Sequence, residues 1–381
     1  MIKVGFGVTQ LARGVNGSGI DGIGHYTQEL LKALSEYSEI DLVPFSFGFD
    51  LPTSFLGKDV VTLRRFDVEV AKGLFFPPLR MHNIKGEKVD LIHATDHLVP
   101  YVKNVPLLAT LMDAIPLSNP EVLSHKFPIL INAKISLWKR ISRRADRVIT
   151  ISEYSKTEIS KWFDIPLNKI SVIPLAVDSR FFNIITPEER LKIRQVLNVP
   201  ESYFLSIGTL QPRKNIGRVL AAMRMLPDDI KKSNPIVIVG RVGWGVENLQ
   251  LEIEQAEKEG WCIRLHRISD FELRALLQSA KGLVFPSLAE GFGLPVLEAF
   301  ASRTPVITSN TTSLPEASNG AALLVDPTNV CEISAAILKI LNDQAYVKDC
   351  VDRGYKHALQ MTWKKCAEET ITVYRELSSR K

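Results

Sequence analysis

No run of eighteen apolar residues occurs in this chain, so the sequence offers no transmembrane helix. Its first residues, Met1 to Val8, lack the charged, apolar and small-residue regions of a secretory signal and read as a buried first strand. Cysteine is scarce. Cys262, Cys331, Cys350 and Cys366 show no C-x-x-C spacing, which argues against a disulfide framework or a zinc site and fits reduced thiols in a cytoplasmic protein. No D-x-D pair is present, so a divalent cation has no obvious carboxylate ligand set, and no metal is expected. The formal net charge of +5 falls short of the basic excess of a nucleic-acid-binding protein, and no such partner is expected. Short repeats and low-complexity tracts are also missing. What remains is 45% hydrophobic and 23% charged, as in ordinary globular proteins, and 381 residues favour two domains over one core.

Apolar runs alternate with helical patterns along the whole length, the signature of parallel α/β architecture. In the first half the strand candidates are 2–8, 40–47, 90–93, 106–112, 147–151 and 170–174, with helices at 25–37, 126–144 and 153–162. A polar helix near 187–197 precedes a second series that begins at Tyr203–Gly208 and continues near 235–239, 262–266, 282–285 and 304–308. Two Rossmann-like domains are expected, 1–180 and 181–362, followed by a helix over 363–381. Ligands of such sheets sit beyond the carboxyl ends of the strands, and two such domains facing each other make a cleft.

The most informative string is Pro286-Ser287-Leu288-Ala289-Glu290-Gly291-Phe292-Gly293-Leu294-Pro295-Val296-Leu297-Glu298. It follows a strand and opens a helix, with Pro295 suited to the first helical position. Glycines let the backbone approach a ligand, and a helix N-terminus favours an anion. Carboxylates repel a diphosphate, so Glu290 and Glu298 read as hydroxyl acceptors on either side of one. Phosphates on the backbone and hydroxyls on the glutamates describe a nucleotide-sugar. A tight strand-to-helix turn with two surface glutamates is the plainer alternative.

The string resembles the E-x7-E signature of retaining glycosyltransferases of the large group 1 family, family four, with the GT-B architecture. Gly208-Thr209-Leu210-Gln211-Pro212-Arg213-Lys214-Asn215 is similar to that family's R-K-N segment. The resemblance implies a lysine, here Lys214, on the donor diphosphate, and Arg213 offers a fork for phosphate. Many relatives have an arginine where Thr209 stands. The resemblance also implies metal-independent transfer, with base-reading backbone groups at Arg267 and Ile268 and donor contacts at Gly208, Phe292, Gly293 and Leu294. Glu316, in Ser313-Leu314-Pro315-Glu316, is expected to support the site from behind, and the last helix to cross back onto the first domain.

In the first half the glycine-rich stretch Gly14–Gly24 joins strand to helix and offers amide donors, Gly24 among them, to donor phosphate or acceptor hydroxyl. Gly19, Gly22 and Gly24 also give G-x-x-G-x-G, the reverse of a dinucleotide-binding spacing, which keeps a nicotinamide-dependent oxidoreductase open as a competing reading. Thr110-Leu111-Met112-Asp113 ends a strand where the family has a His-Asp pair. Met112 replaces the histidine, and Asp113 is the catalytic candidate with Arg213, Lys214 and Glu290. His93, Asp96 and His97 are acceptor-side candidates, each histidine being alternatively a packing residue.

The helix near 129–147 carries Lys134, Lys139, Arg140, Arg143, Arg144 and Arg147, and the loop Leu74–Met81 is apolar. A basic amphipathic stripe can lie on an anionic membrane, or it is the solvated face of a core helix. The resemblance implies transfer of a hexose, with GDP-mannose or GDP-rhamnose favoured, to a glycan or polyprenyl-linked acceptor of surface polysaccharide. That would place the enzyme at the inner face of the membrane, with no cofactor beyond the nucleotide-sugar substrate. A non-catalytic nucleotide-sugar-binding protein is the third reading.

Overall fold

The computed structural model describes residues 1–379 except 18, 53–56, 58, 64, 66–82, 85–86, 101, 103, 119–138 and 140–142. The expected loop Leu74–Met81 and most of the expected basic helix therefore lie outside the described residues. The chain divides into two compact units, Met1–Leu175 with Trp363–Lys381, and Ala176–Thr362.

The first unit contains β1 (Ile2–Gly7), β2 (Ile40–Phe47), β3 (Val61–Leu63), a small antiparallel pair β4 (Asn83–Ile84) and β5 (Glu87–Lys88), then β6 (Leu91–Ala94), β7 (Leu107–Thr110), β8 (Arg147–Thr150) and β9 (Ile170–Val172). Among the described residues the main sheet runs β3-β2-β1-β6-β7-β8-β9, with every neighbouring pair parallel. Its strands are short apolar runs buried on both faces, as a sheet covered by helices requires.

The helix expected over 25–37 begins earlier, at Gly22, because Asp21 accepts a hydrogen bond from the Gly24 amide at 2.8 Å and caps it. A separate helix, Thr9–Val15, precedes it and was not expected. The helix expected over 153–162 is present as Glu153–Phe163, capped by Ser152 through the Ser155 amide.

Helix Trp363–Ser378 belongs to this first unit. It buries Cys366, Ile371, Tyr374 and Leu377, and it packs on Gly22–Ser35. Each such apolar side chain removed from water is worth roughly 1.5–3 kcal/mol. Arg147 pairs with Glu376 at 3.2 Å, and Tyr37 donates to Glu368 at 3.1 Å. These half-exposed contacts add little beside the burial.

The second unit contains β10 (Phe204–Ile207), β11 (Ile236–Val239), β12 (Cys262–Leu265), β13 (Gly282–Phe285), β14 (Val306–Ser309) and β15 (Leu323–Val325). The order β12-β11-β10-β13-β14-β15, all parallel, is that of a dinucleotide-binding Rossmann sheet. Its direction of growth reverses between β10 and β13. The loops leaving those two strands diverge there and open a crevice. Both informative strings of the second half follow these strands.

Candidate active site

After β10 the chain passes Gly208 and forms a one-turn helix, Pro212–Lys214, ending at Asn215 with φ 61°. The loop is pinned from three sides. Asn215 Nδ2 donates to the carbonyls of Pro286, at 2.9 Å, and Pro327, at 2.6 Å. The Leu288 amide donates to the Arg213 carbonyl at 2.8 Å. Gly240, at the end of β11, allows the backbones to close up: a Cβ there would lie 1.9 Å from the Gly208 carbonyl oxygen.

These anchors bring Arg213, Lys214 and Glu290 together. Lys214 Nζ lies 2.6 Å from Glu290 Oε1, and Arg213 Nη1 lies 2.9 Å from Glu290 Oε2. Arg213 also donates to the Ala289 carbonyl at 3.0 Å, and Lys214 sits 4.7 Å from the centre of the Phe285 ring. Glu290 is only 8% exposed. Burial pushes its carboxyl up, but the charges of Lys214 and Arg213 and hydrogen bonding from Lys214 and Ser287 outweigh it and hold the pKa below the ordinary value. Burial lowers Lys214 in spite of the attraction of Glu290. Two cations on one carboxylate leave the cluster with a surplus positive charge.

The turn that carries Glu290 is held from below by Ser313, whose hydroxyl donates to the carbonyls of Glu290 and Phe292, each at 2.8 Å. Gly293, at φ 122°, caps the helix Leu294–Ala301, which starts one residue before the expected Pro295. No side chain caps that N-terminus; Pro295 has no amide hydrogen, and the Val296 amide donates to the Gly293 carbonyl at 2.9 Å. Glu298 lies on this helix, half-buried. Burial, Asp270 and Asp178 push its carboxyl up to about 7, with Lys214 pulling the other way.

Ser313, Asn215, Asp178 and Asp270 were not singled out from sequence. Asp178 and Asp270 are joined through Arg180, at 2.6 and 3.4 Å. Glu316, expected behind the site, is exposed on the short helix Leu314–Ser318, and Ser313 of the same string reaches the Glu290 turn. Thr209 is half-buried beside Gly208. Arg267 is exposed and Ile268 half-buried ahead of the helix Asp270–Ser279, which Ser269 and Glu272 cap reciprocally.

In the first unit the candidates separate. His93 is fully buried, its Nδ1 2.7 Å from the Tyr374 hydroxyl and its Nε2 2.8 Å from Thr110 Oγ1. Burial lowers its pKa to about 3, so it is a neutral histidine tying the last helix to the sheet, which corrects its reading as an acceptor-side group. His97 stacks on Phe163, ring centres 6.0 Å apart. Asp96 is buried, accepts from the Leu98 amide at 2.7 Å, and burial above all pushes its pKa up to about 7. Asp113 Oδ1 accepts from the Ile115 amide at 2.9 Å and caps the helix Ile115–Ser118. Met112 is packed in the core. The amide of Gly24 is spent on Asp21 and is not open to a phosphate.

Among the described residues no group of three or more His, Cys, Asp or Glu side chains could hold a metal ion, and no helix is long and apolar enough to cross a membrane.

A doubly wound sheet with a cationic cluster and a helix N-terminus at its switch point is an arrangement that suits phosphate-bearing nucleotides. Comparison with known proteins narrows the class. The family model described as Glycosyl transferases group 1 matches residues 188–357, and that described as Glycosyltransferase Family 4 matches residues 20–181. O-antigen chain mannosyltransferase B of Escherichia coli is 31% identical over 373 residues, covering 94% of this chain and 97% of that protein. O-antigen chain mannosyltransferase RfbU of Salmonella typhimurium is 29% identical, covering 84% and 87% respectively. Among solved structures, sucrose-phosphate synthase from Thermosynechococcus elongatus superimposes with a TM-score of 0.75 at 21% identity over the whole of both chains. Anabaena HepE, in complex with UDP-glucose, gives 0.74 at 18% identity over 98% of this chain and 100% of its own. The chain belongs to the group 1 glycosyltransferases and has the GT-B fold.

Proposed function

We propose that this protein is a retaining, metal-independent mannosyltransferase of bacterial surface-polysaccharide synthesis. It moves a hexose from a nucleotide diphosphate sugar, GDP-mannose before GDP-rhamnose, to a glycan or polyprenyl-linked sugar, at the inner face of the membrane and without a cofactor. Two relatives matched over most of their length are O-antigen mannosyltransferases, which supports the mannosyl donor and the polysaccharide acceptor. The observation that carries the reading is the cluster in which one buried carboxylate, Glu290, is shared by Arg213 and Lys214 at a strand switch point.

In this reading the diphosphate takes over part of the positive charge that Glu290 now neutralises. Arg213 gives a planar fork and Lys214 a point charge, and the amides at the start of Leu294–Ala301 add a third source. Charge that builds on the leaving phosphate is met by groups already in place, so little reorganisation is needed. Glu290, freed in part, accepts a hydroxyl of the transferred sugar, and Glu298 accepts hydroxyls of the nucleotide's ribose. With no carboxylate singled out as a covalent nucleophile among the described residues, departure and attack occur on the same face of the sugar. The leaving phosphate takes the proton of the incoming hydroxyl. Asp113, at the end of β7, serves the acceptor side.

The test is turnover of GDP-mannose, GDP-rhamnose, UDP-glucose and ADP-glucose with a polyprenyl-diphosphate-linked oligosaccharide, and the anomeric configuration of the product by NMR. An axial mannosyl linkage from GDP-mannose is expected. Nucleotide-sugar binding with neither transfer nor hydrolysis would make the protein a non-catalytic binder, and an inverted product would overturn the retaining reading.

A further inference from the structure

The sheet of the first unit also reverses its order, between β1 and β6, and the chain leaving β6 brings a buried acid to that point. Asp96 is only 4% exposed. Its Oδ1 accepts from the Leu98 amide at 2.7 Å. Its Oδ2 is closed off from solvent and makes no hydrogen bond among the described residues. A charge on that oxygen loses its hydration and gains no donor in return, so the carboxyl is better kept neutral, with a proton on Oδ2.

The groups that act on this carboxyl come from the two helices that follow β1. Gln10, on the helix Thr9–Val15, hydrogen-bonds to it and favours its charged form, whereas Asp21, the cap of Gly22–Ser35, repels that form. Burial is the largest influence and sets the carboxyl at about 7. The neighbouring histidines are engaged elsewhere: His97 stacks on Phe163, and His93 is taken by Tyr374 and Thr110. Hydroxyl contacts tie the same two helices to the strand ends. Thr9 receives the Phe47 amide at 3.0 Å, and Thr95 donates to the Gly7 carbonyl at 2.8 Å and receives the Thr27 hydroxyl at 3.1 Å. Asp96 is thus an acid closed in by helices that are pinned on both sides of it.

We propose that Asp96 is a proton-operated latch: neutral, it lets the helix Thr9–Val15 and the cap of Gly22–Ser35 close over the end of β6, and ionised, it drives them open. On opening, Oδ2 gives its proton to water, the anion is hydrated, and its charge repels Asp21. The closed carboxyl ionises near 7, and a solvated one at the ordinary 3.8. Below 3.8 both forms are protonated and closure costs nothing; the penalty on closure grows as pH rises and is complete above 7. Between pH 6 and pH 8 the open population should therefore rise about 10-fold. Neither state of the latch requires glycosyl transfer, so the test needs no turnover.

The experiment is hydrogen exchange of the full chain followed by mass spectrometry at pH 6, 7 and 8, with each amide corrected for its intrinsic pH dependence. Opening of Thr9–Val15 and of the first turn of Gly22–Ser35 should rise about 10-fold from pH 6 to pH 8. The helix Glu153–Phe163 of the same unit should stay level, which separates local opening from global unfolding. Asp96→Asn, an uncharged isostere of the acid, should abolish the response. Asp21→Asn keeps the cap, since Asn can accept from the Gly24 amide, and removes the repulsion, so it should reduce the response. Opening that does not change with pH in the unsubstituted protein would overturn the proposal, and so would an equal rise in Glu153–Phe163. A response that persists in full in Asp96→Asn, or that Asp21→Asn leaves undiminished, would overturn it too, and the Asp21 variant decides the matter if Asp96→Asn does not fold.

Discussion

Replacing Glu298 by glutamine should make the protein more stable at pH 8 and less able to hold its donor. The carboxyl ionises near 7 in the folded chain, against an ordinary value of 4.5, because it is buried and faces Asp270 and Asp178. Between those two values the folded state keeps a proton that the unfolded chain has released. Stability therefore falls as pH rises through that window. Below it both states are protonated and the carboxyl costs nothing. Above it the penalty is complete, and at about 1.36 kcal/mol for each pH unit it comes to somewhat over 3 kcal/mol. Glu298 retains some exposure, so solvent reduces this, and about 2 kcal/mol is the expected gain of the variant between pH 5 and pH 8.

Urea melts of the two proteins at pH 5, 6, 7 and 8 measure it, since other titrating groups cancel in the difference. The same substitution removes a charged hydroxyl acceptor, which should weaken the nucleotide-sugar about 10- to 100-fold at pH 8. Donor affinity of the unsubstituted protein should fall as pH drops below 7. A stability difference that is flat from pH 5 to pH 8 would refute the reasoning, because it would mean that Glu298 is ionised without strain.

Glu290→Ala and Lys214→Ala should each lower the transfer rate by about 10²–10³, as removal of one positioned charge stabiliser does, and Lys214→Ala should also weaken the free nucleotide diphosphate. Normal turnover in either would remove the second unit from the chemistry. Transfer should survive EDTA, and complete loss restored by magnesium or manganese would refute metal independence. Asp113→Asn keeps the cap on Ile115–Ser118, since Asn can accept from the Ile115 amide, so folding should be preserved. Transfer should fall with donor affinity almost unchanged, and full activity would reduce Asp113 to a capping residue. Tyr374→Phe leaves Nδ1 of the buried His93 without its partner and should cost about 1–3 kcal/mol, read as a lower melting temperature.

The central strands of both sheets were legible because a strand buried on two faces leaves a short apolar run that flanking turns delimit, as in Ile236–Val239 and Gly282–Phe285, whereas the three-residue strands Val61–Leu63 and Leu323–Val325 were not. The helix Thr9–Val15 was not legible. Its buried side is only Thr9, Leu11 and Ala12, too short for a periodicity, and the glycines beside it read as a loop. His93 was ambiguous for a different reason. Whether a strand-end histidine faces solvent or a neighbouring helix depends on a tyrosine 281 residues away, which no local pattern announces. The string that carries Glu316 was legible as support, but not that Ser313, three residues earlier, is the residue whose hydroxyl reaches the Glu290 carbonyl.

The two switch points make the same contrast at a larger scale. In the second unit the site comes from two continuous strings, each leaving one of the two central strands, so sequence neighbours are also neighbours in space. Arg213, Lys214 and Asn215 are consecutive, and Glu290 and Glu298 lie on one turn and its helix. In the first unit a pocket beyond the ends of β1 and β2 is assembled from Thr9, Arg13, Phe47, Gly48, Phe49, Arg65 and Leu98, spread over four segments, none of which forms a motif. The common nucleotide portion of a donor can be served by a fixed string. An acceptor surface drawn from separate loops can change one residue at a time without disturbing the sheet beneath it. On that physical ground the group 1 family is recognisable from the second unit.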